Sequence, residues 1–194
     1  IKARGLLRSI VFFPVLVSTV AIGVTFSVLL HPSTGLLNES LALVGIDGPA
    51  WLTDTRTALL SVALVDVWKG VGLATLIYIA GIVSIPGEYT EAVSIDGGGF
   101  FQKLWYVIIP LNRPATFTVI LLSFVGGLRS FDLIWTMTKG GPGFTTDVLA
   151  STIYKQYQAG FYGLATAGNV VLFLIVVCLA YPMQRYFNSK ELQL

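Results

Sequence analysis

Apolar positions along the chain gather into four long runs, separated by polar stretches rich in turn residues. The runs cover about Ser9 to Leu30, Ala58 to Ser84, Ala115 to Met137 and Gly163 to Met183. A helix rises about 1.5 Å per residue and bilayer hydrocarbon is about 30 Å thick, so each run is long enough to predict a spanning helix. Strands fit less well: a barrel would show short alternating segments, and lipid offers unpaired backbone groups no partner. Pro14 and Pro182 fall near the ends of their runs, where a missing N–H costs least. The expected class is all-α, a polytopic membrane protein with four visible transmembrane helices.

Composition points the same way. Hydrophobic residues make up 55% of the 194, charged residues 11%, and the mean hydropathy is +0.79, which excludes a soluble domain. The net charge of +2 is too small and too scattered for the basic face that nucleic acid requires. Cys178 is the sole cysteine and lies in an apolar run, so no internal disulfide can form and a buried, inert thiol is expected. His31 has no Cys, His or carboxylate at metal spacing, which predicts a surface histidine, and with the one histidine stranded at the outer surface no Ser–His–acid set can form inside the membrane. No catalytic or metal site is expected. The chain opens on Ile1 rather than Met, which predicts a piece of a longer protein. A signal peptide is disfavoured by the length of the first run and by the lack of a small-residue cleavage site after it.

Loop charges set the orientation. Lys2, Arg4, Arg8, Lys103, Arg113, Arg185 and Lys190 fall on one side of the membrane, against Arg56, Lys139 and Lys155 on the other. The positive-inside rule places the richer side in the cytoplasm. The outer segments, His31 to Thr57 and Thr138 to Tyr162, then carry the turn residues and the headgroup-seeking aromatics Trp51, Tyr154, Tyr157 and Tyr162.

The inner loop, residues 85–114, is too polar to span and too patterned to be a linker. Pro86 can open a helix, Glu88 and Glu91 sit where the helix dipole favours carboxylates, and Tyr89, Ala92, Val93 and Asp96 follow at steps of three and four. Gly97, Gly98 and Gly99 stop it. A second helix, Phe100 to Ile108, puts Phe101, Leu104, Trp105 and Ile108 on one face, with Pro110 as its expected end. The product is a helix–glycine–helix motif on the cytoplasmic face. The three glycines are not a phosphate loop, because no strand precedes them and no Gly-Lys-Ser/Thr follows.

At these residues the chain resembles the permease subunits of binding-protein-dependent ABC importers. Their loop signature is Glu-Ala-Ala, three residues, Gly, nine residues, then Ile-x-Leu-Pro. Glu91, Ala92, Gly97 and Pro110 match it, while Val93, Val107 and Ile109 depart by conservative apolar swaps. Phe12-Phe13-Pro14, Trp68-Lys69-Gly70, Ile85-Pro86, Ile95-Asp96-Gly97, Phe131-Asp132 and Gly140-Gly141-Pro142 follow the order of the maltose-permease-like, carbohydrate-importing branch. The resemblance covers essentially the whole chain, although family members usually begin with two further helices.

The resemblance implies an importer transmembrane domain over residues 1–194, whose 85–114 segment is the coupling loop to a cytoplasmic ATPase. Glu88, Glu91, Ala92, Asp96 and Gly97 would carry that contact. The implied partners are a second permease subunit in a heterodimer, two ATPase subunits, an extracytoplasmic binding protein, a sugar and membrane lipid. ATP and Mg would be bound by the ATPases and no cofactor by this chain, in a bacterial inner membrane. The short polar tail from Asn188 lacks the extension by which one maltose-type subunit enters the ATPases, which implies the other type.

Four ionisable residues fall inside the spans: Asp66, Lys69, Arg129 and Asp132. Each costs about 2.5–3.5 kcal/mol at a helix centre, so it must be paired or wet. The two pairs are spaced three apart and, counted along straight helices, Asp66 and Arg129 reach one depth about 12 Å below the outer surface. A shared polar cavity and two salt bridges that only lock the second span to the third both satisfy this. The maltose-permease comparison places sugar-contacting positions at Asp66, Lys69, Gly70, Ser123, Gly127 and Ser130, with a weaker match at Thr19. Close helix packing is the competing role for the glycines and Ser123, and it is preferred for Ala159, Gly163 and Ala167. Which sugar or polyol phosphate is carried stays open. The alternative class is an ATP-independent carrier or channel; it predicts inverted repeats or broken helices, and the sequence displays neither.

Overall fold

The computed structural model describes residues 4–191, in which the regular elements are all helical. Two helices are long and apolar enough to cross a bilayer: α4 (Ala58–Val83), within one residue of expectation, and α11 (Tyr162–Glu191). α11 runs on through Pro182 instead of ending there.

The other two runs are broken, which corrects the expectation of unbroken rods. In the first, α1 (Arg4–Leu16) and α2 (Thr19–Leu29) meet at 95°. Pro14 supplies no N–H, the Val17 amide reaches back only to the Pro14 carbonyl at 3.3 Å, and Ser18 is extended with ψ 134. In the third, α8 (Arg113–Leu128) stops short of α9 (Asp132–Met137). The Arg129 and Ser130 amides bond the Gly126 and Gly127 carbonyls three residues back at 3.2 Å, tightening the final turn where paired glycines weaken the helix. Arg129 and Ser130 are thus off the helix, and the depth counted for Arg129 along a straight rod does not hold.

Short helices occupy the connections as well. α3 (Leu36–Ala42) and α10 (Leu149–Gln158) lie in the two outer segments. The inner loop holds α5 (Gly87–Ile95), α6 (Phe100–Lys103), a wide helical turn over Leu104–Ile108 and α7 (Ile109–Leu111). The second inner helix therefore passes Pro110. In the wide turn the Ile109 amide bonds the carbonyl of Leu104, five residues back, which relieves the crowding a proline ring imposes on a regular helix.

The chain forms two compact units. One joins the chain up to Gly72 with Gly126–Val176; the other joins Leu73–Val125 with the chain from Val177. In the first, Ile22 of α2 and its C-cap Leu30, Val62 and Val65 of α4, and Leu133, Ile134 and Met137 of α9 form the core. Gly23 of α2 lies directly against the Thr136 side chain, and the Phe26 ring meets Trp68 edge-on at 5.2 Å. The buried seam of α4, Ala58, Ser61, Val62, Val65 and Gly72, follows helical spacing. In the second unit Ala115 and Asn112 are buried beside Gly81, and Phe117 stacks on Phe187 at 4.4 Å. Two smaller expectations fail. Cys178, Gly163 and Ala167 are exposed on α11, and so is Ala159 at the end of α10; the buried residue of that stretch is Ala165, while Gly168 packs against Ile153.

Gly72 has no space for a side chain: a Cβ there would stand 2.5 Å from the Val11 carbonyl oxygen and 2.9 Å from Val15 Cγ2. Gly72→Ala is expected to destabilise the unit by about 1–3 kcal/mol through overpacking. A lowered Tm in detergent checks this; an unchanged Tm opposes it.

Candidate functional site

The inner loop is built from its caps. Pro86 holds ψ at 135 and starts α5, with Glu88 in the first turn. At the far end the Gly98 amide bonds the Val93 carbonyl at 2.7 Å and the Gly97 amide bonds that of Ser94 at 3.2 Å. This double closure needs a left-handed residue at Gly97, whose φ is +76. The Gly99 amide then donates to Gln102 Oε1 at 2.8 Å, fixing the start of α6. Glu88, Glu91, Ala92, Asp96 and Gly97 are all exposed. Around them stand large apolar side chains with most of their surface free: Ile95, Phe100, Phe101, Trp105 and Tyr106. Carboxylates interleaved with uncovered aromatics suit protein contact, since aromatic side chains are enriched where proteins meet.

Asp66, Lys69 and Gly70 lie on α4 beside its buried seam, Asp66 and Gly70 exposed and Lys69 half-buried. Gly127, near the end of α8, is exposed, and Ser130 in the break and Thr19 at the start of α2 are half-buried. These residues belong to the first unit, whereas Ser123, exposed on α8, belongs to the second. Gly70 and Gly127 have open space within 4 Å of where a side chain would begin, so neither serves close helix packing among the described residues. Among those residues no ion pair within 4.0 Å joins any of Asp66, Lys69, Arg129 and Asp132 to another, either along one helix or between helices. The salt-bridge alternative for these charges is therefore not realised, and the break after Leu128 explains it for Arg129.

The ion pair that does form was not anticipated. Lys155 Nζ lies 2.7 Å and 2.9 Å from the two carboxylate oxygens of Asp147 on the outer side, and the Ser151 hydroxyl donates to the same carboxylate at 2.8 Å. The Thr138 and Thr146 hydroxyls are 2.7 Å apart, and Thr146, fully buried, donates to the Gly141 carbonyl at 2.7 Å. These bonds hold a loop in which Lys139 and Phe144 adopt left-handed φ values of 52 and 68, conformations that side chains beyond glycine take only under constraint. Phe144 projects, 77% exposed, with the Lys155 ammonium 5.3 Å from its ring centre. Nearby, a pocket of about 350 Å³ is lined by Ser27, Leu30, His31, Pro32, Leu52, Thr53, Met137, Thr138, Gly141 and Pro142. It contains none of the candidate sugar-contacting residues. His31 is exposed as expected, its Nδ1 hydrogen-bonded with the Thr34 hydroxyl at 3.0 Å. The outer aromatics gather: Tyr154 meets Phe131 at 5.1 Å and Trp135 at 4.8 Å, and Tyr157 meets Tyr162 at 5.3 Å. The described residues contain no His, Cys, Asp and Glu grouping able to hold a metal.

A helical membrane protein with an exposed helix–glycine–helix loop is the class these features define. The chain belongs to the family described as binding-protein-dependent transport system inner membrane component, which it matches over residues 2–192. It is 33% identical over 187 residues to the probable ABC transporter permease protein YurN of Bacillus subtilis, covering 95% of this chain and 64% of that protein. It is 33% identical over 177 residues to the trehalose/maltose transport system permease protein MalF of Thermococcus litoralis, covering 91% of this chain and 60% of that one. A chain in the crystal structure of a bacterial alginate ABC transporter, in complex with alginate pentasaccharide-bound periplasmic protein, superposes with a TM-score of 0.83 at 26% identity. The overlap covers 95% of this chain and 66% of that chain. The present chain thus spans less than two thirds of the length of the curated relatives it matches first.

Asp147→Ala leaves the Lys155 ammonium and the Ser151 hydroxyl without their shared acceptor, a loss of about 1–3 kcal/mol. Amide exchange at Thr146 and Gly141 is expected to quicken about tenfold or more, with exchange in the middle of α4 unchanged. Hydrogen–deuterium exchange of the variant beside the parent chain reads this directly.

Proposed function

We propose that this chain is a permease subunit of an ATP-driven importer, moving a sugar or sugar-like solute delivered by an extracytoplasmic binding protein across a bacterial inner membrane. The observation that carries the reading is the inner loop: a capped helix–glycine–helix with exposed Glu88, Glu91 and Asp96, bordered by uncovered aromatics, in a chain of this family. In this reading the loop seats in a cytoplasmic ATPase, with Glu91 and Ala92 at the contact and Gly97 setting the angle between its helices. Closure of two ATPases that bind ATP and Mg drives the spans between inward-open and outward-open, and this chain itself binds no nucleotide. A second permease subunit completes the pathway.

The sugar reading draws on the relative concerned with trehalose and maltose and on the alginate transporter. Asp66 and Lys69 can hydrogen-bond hydroxyls, and the open faces of Gly70 and Gly127 admit a bulky ligand to the backbone. Ser123, Ser130 and Thr19 add hydroxyls. The breaks after Leu16 and Leu128 are features an ATP-independent carrier would share. Copurification with an ATPase and ATP-driven uptake in vesicles support the importer, whereas gradient-driven flux by this chain alone supports the carrier.

Glu91→Ala and Gly97→Pro are expected to insert normally and to abolish solute-stimulated ATP hydrolysis, the second because proline cannot adopt positive φ. Normal uptake by both variants would contradict the coupling role. Asp66→Ala is expected to weaken uptake with assembly unchanged; lost assembly would instead make Asp66 a structural residue.

A further inference from the structure

Between α7 and α8 the chain turns through 61° at a single residue, Asn112. A polar side chain at an elbow would ordinarily point to water. Asn112 is instead buried, 6% exposed, on the inner part of α4. Its Nδ2 donates to the Tyr78 carbonyl at 3.5 Å, an oxygen already within a helical ladder, and its Oδ1 is buried with no partner. Its backbone is engaged on both sides of the bend: the amide bonds the Ile108 carbonyl at 2.9 Å, and its carbonyl accepts the Thr116 amide at 3.2 Å. Gly81, one turn along α4, makes the approach possible. A methyl group there would run into Asn112 Oδ1 and stand 2.8 Å from the Ala115 Cβ.

A buried amide with half its capacity unused is costly, and a leucine of similar size would bury without that cost. Nothing in local folding requires asparagine at this elbow. What the side chain does is tie three elements, the end of the inner loop, the start of α8 and the inner part of α4, at one point.

We propose that Asn112 is a positioning residue of the coupling machinery: it clamps the elbow of the inner loop to α4, so that displacement of the loop moves both spans together. This rests on the importer reading above. Loss of the clamp leaves the loop able to dock but free to swing, and nucleotide hydrolysis then proceeds without moving the spans in step.

The test uses the complete complex in vesicles, with Asn112→Leu and Gly81→Ala as variants and spin labels at Ser94 and Ala80 in a Cys178→Ser background. Expected are assembly like the parent chain, retained ATP hydrolysis, and at least a fivefold fall in solute imported per ATP. The inter-label distance, narrow with or without nucleotide in the parent, should broaden in Asn112→Leu. An unchanged import ratio with an unchanged distance distribution overturns the proposal, and so does failure of both variants to assemble, which would make Asn112 a folding residue. Absence of ATP-driven uptake by the parent complex sinks the importer reading instead. The nucleotide-free distances still report on the clamp in that case: broadening supports it, and no change overturns it.

Discussion

Hydrocarbon contains no water to satisfy a backbone amide, and this one constraint organises the molecule. An unpaired N–H or C=O there costs several kcal/mol, so the chain is helical wherever it can be and irregular only where protein or water covers the irregularity. The breaks at Ser18 and at residues 129–131 need that cover. At the first, the end of α1 passes Gly72 of α4 closely enough that no side chain fits between them. At the second, Phe131 stacks on Trp135 and meets Tyr154, which ties the break to α9 and α10.

The second and fourth spans were legible in the sequence to within a residue or two at their outer ends, because a long apolar run bounded by turn residues leaves no other choice. The first and third were not. Hydropathy reports the solvent a residue prefers, and a bent pair of helices has the same solvent as a straight one. The signals for the breaks are local and small: Pro14 one turn before Ser18, and Gly126-Gly127 just before Arg129. The same limit explains the charges. Spacing of three makes neighbours on an intact helix, which Arg129 does not occupy, whereas Asp147 and Lys155 pair across a loop whose turns set their distance. The inner motif was the most legible part, since glycine at positive φ and proline at a helix start leave few conformations. Only the passage through Pro110 escaped, because the wide turn that permits it has no sequence signature.

The two loop systems solve opposite problems. The outer loop is pinned by hydroxyls and an ion pair into a conformation its side chains resist, so that Phe144 is held outward against its own preference. The inner loop is relaxed, with each cap satisfied and its apolar side chains left uncovered. A pinned projection loses little freedom when it meets a surface, while a relaxed, greasy motif gains most of its binding energy from the area a partner covers.

The length of α11 carries a last consequence. Its residues up to Met183 already reach across about 33 Å, enough for the hydrocarbon. The helix nevertheless continues through Arg185 to Glu191 without a stop. That stretch adds about 12 Å beyond Met183; Phe187 on it stacks on Phe117 of α8, which braces it, and the Arg185 stem is able to lie back along the headgroups. That ring contact couples any tilt of this end of α11 to the start of α8.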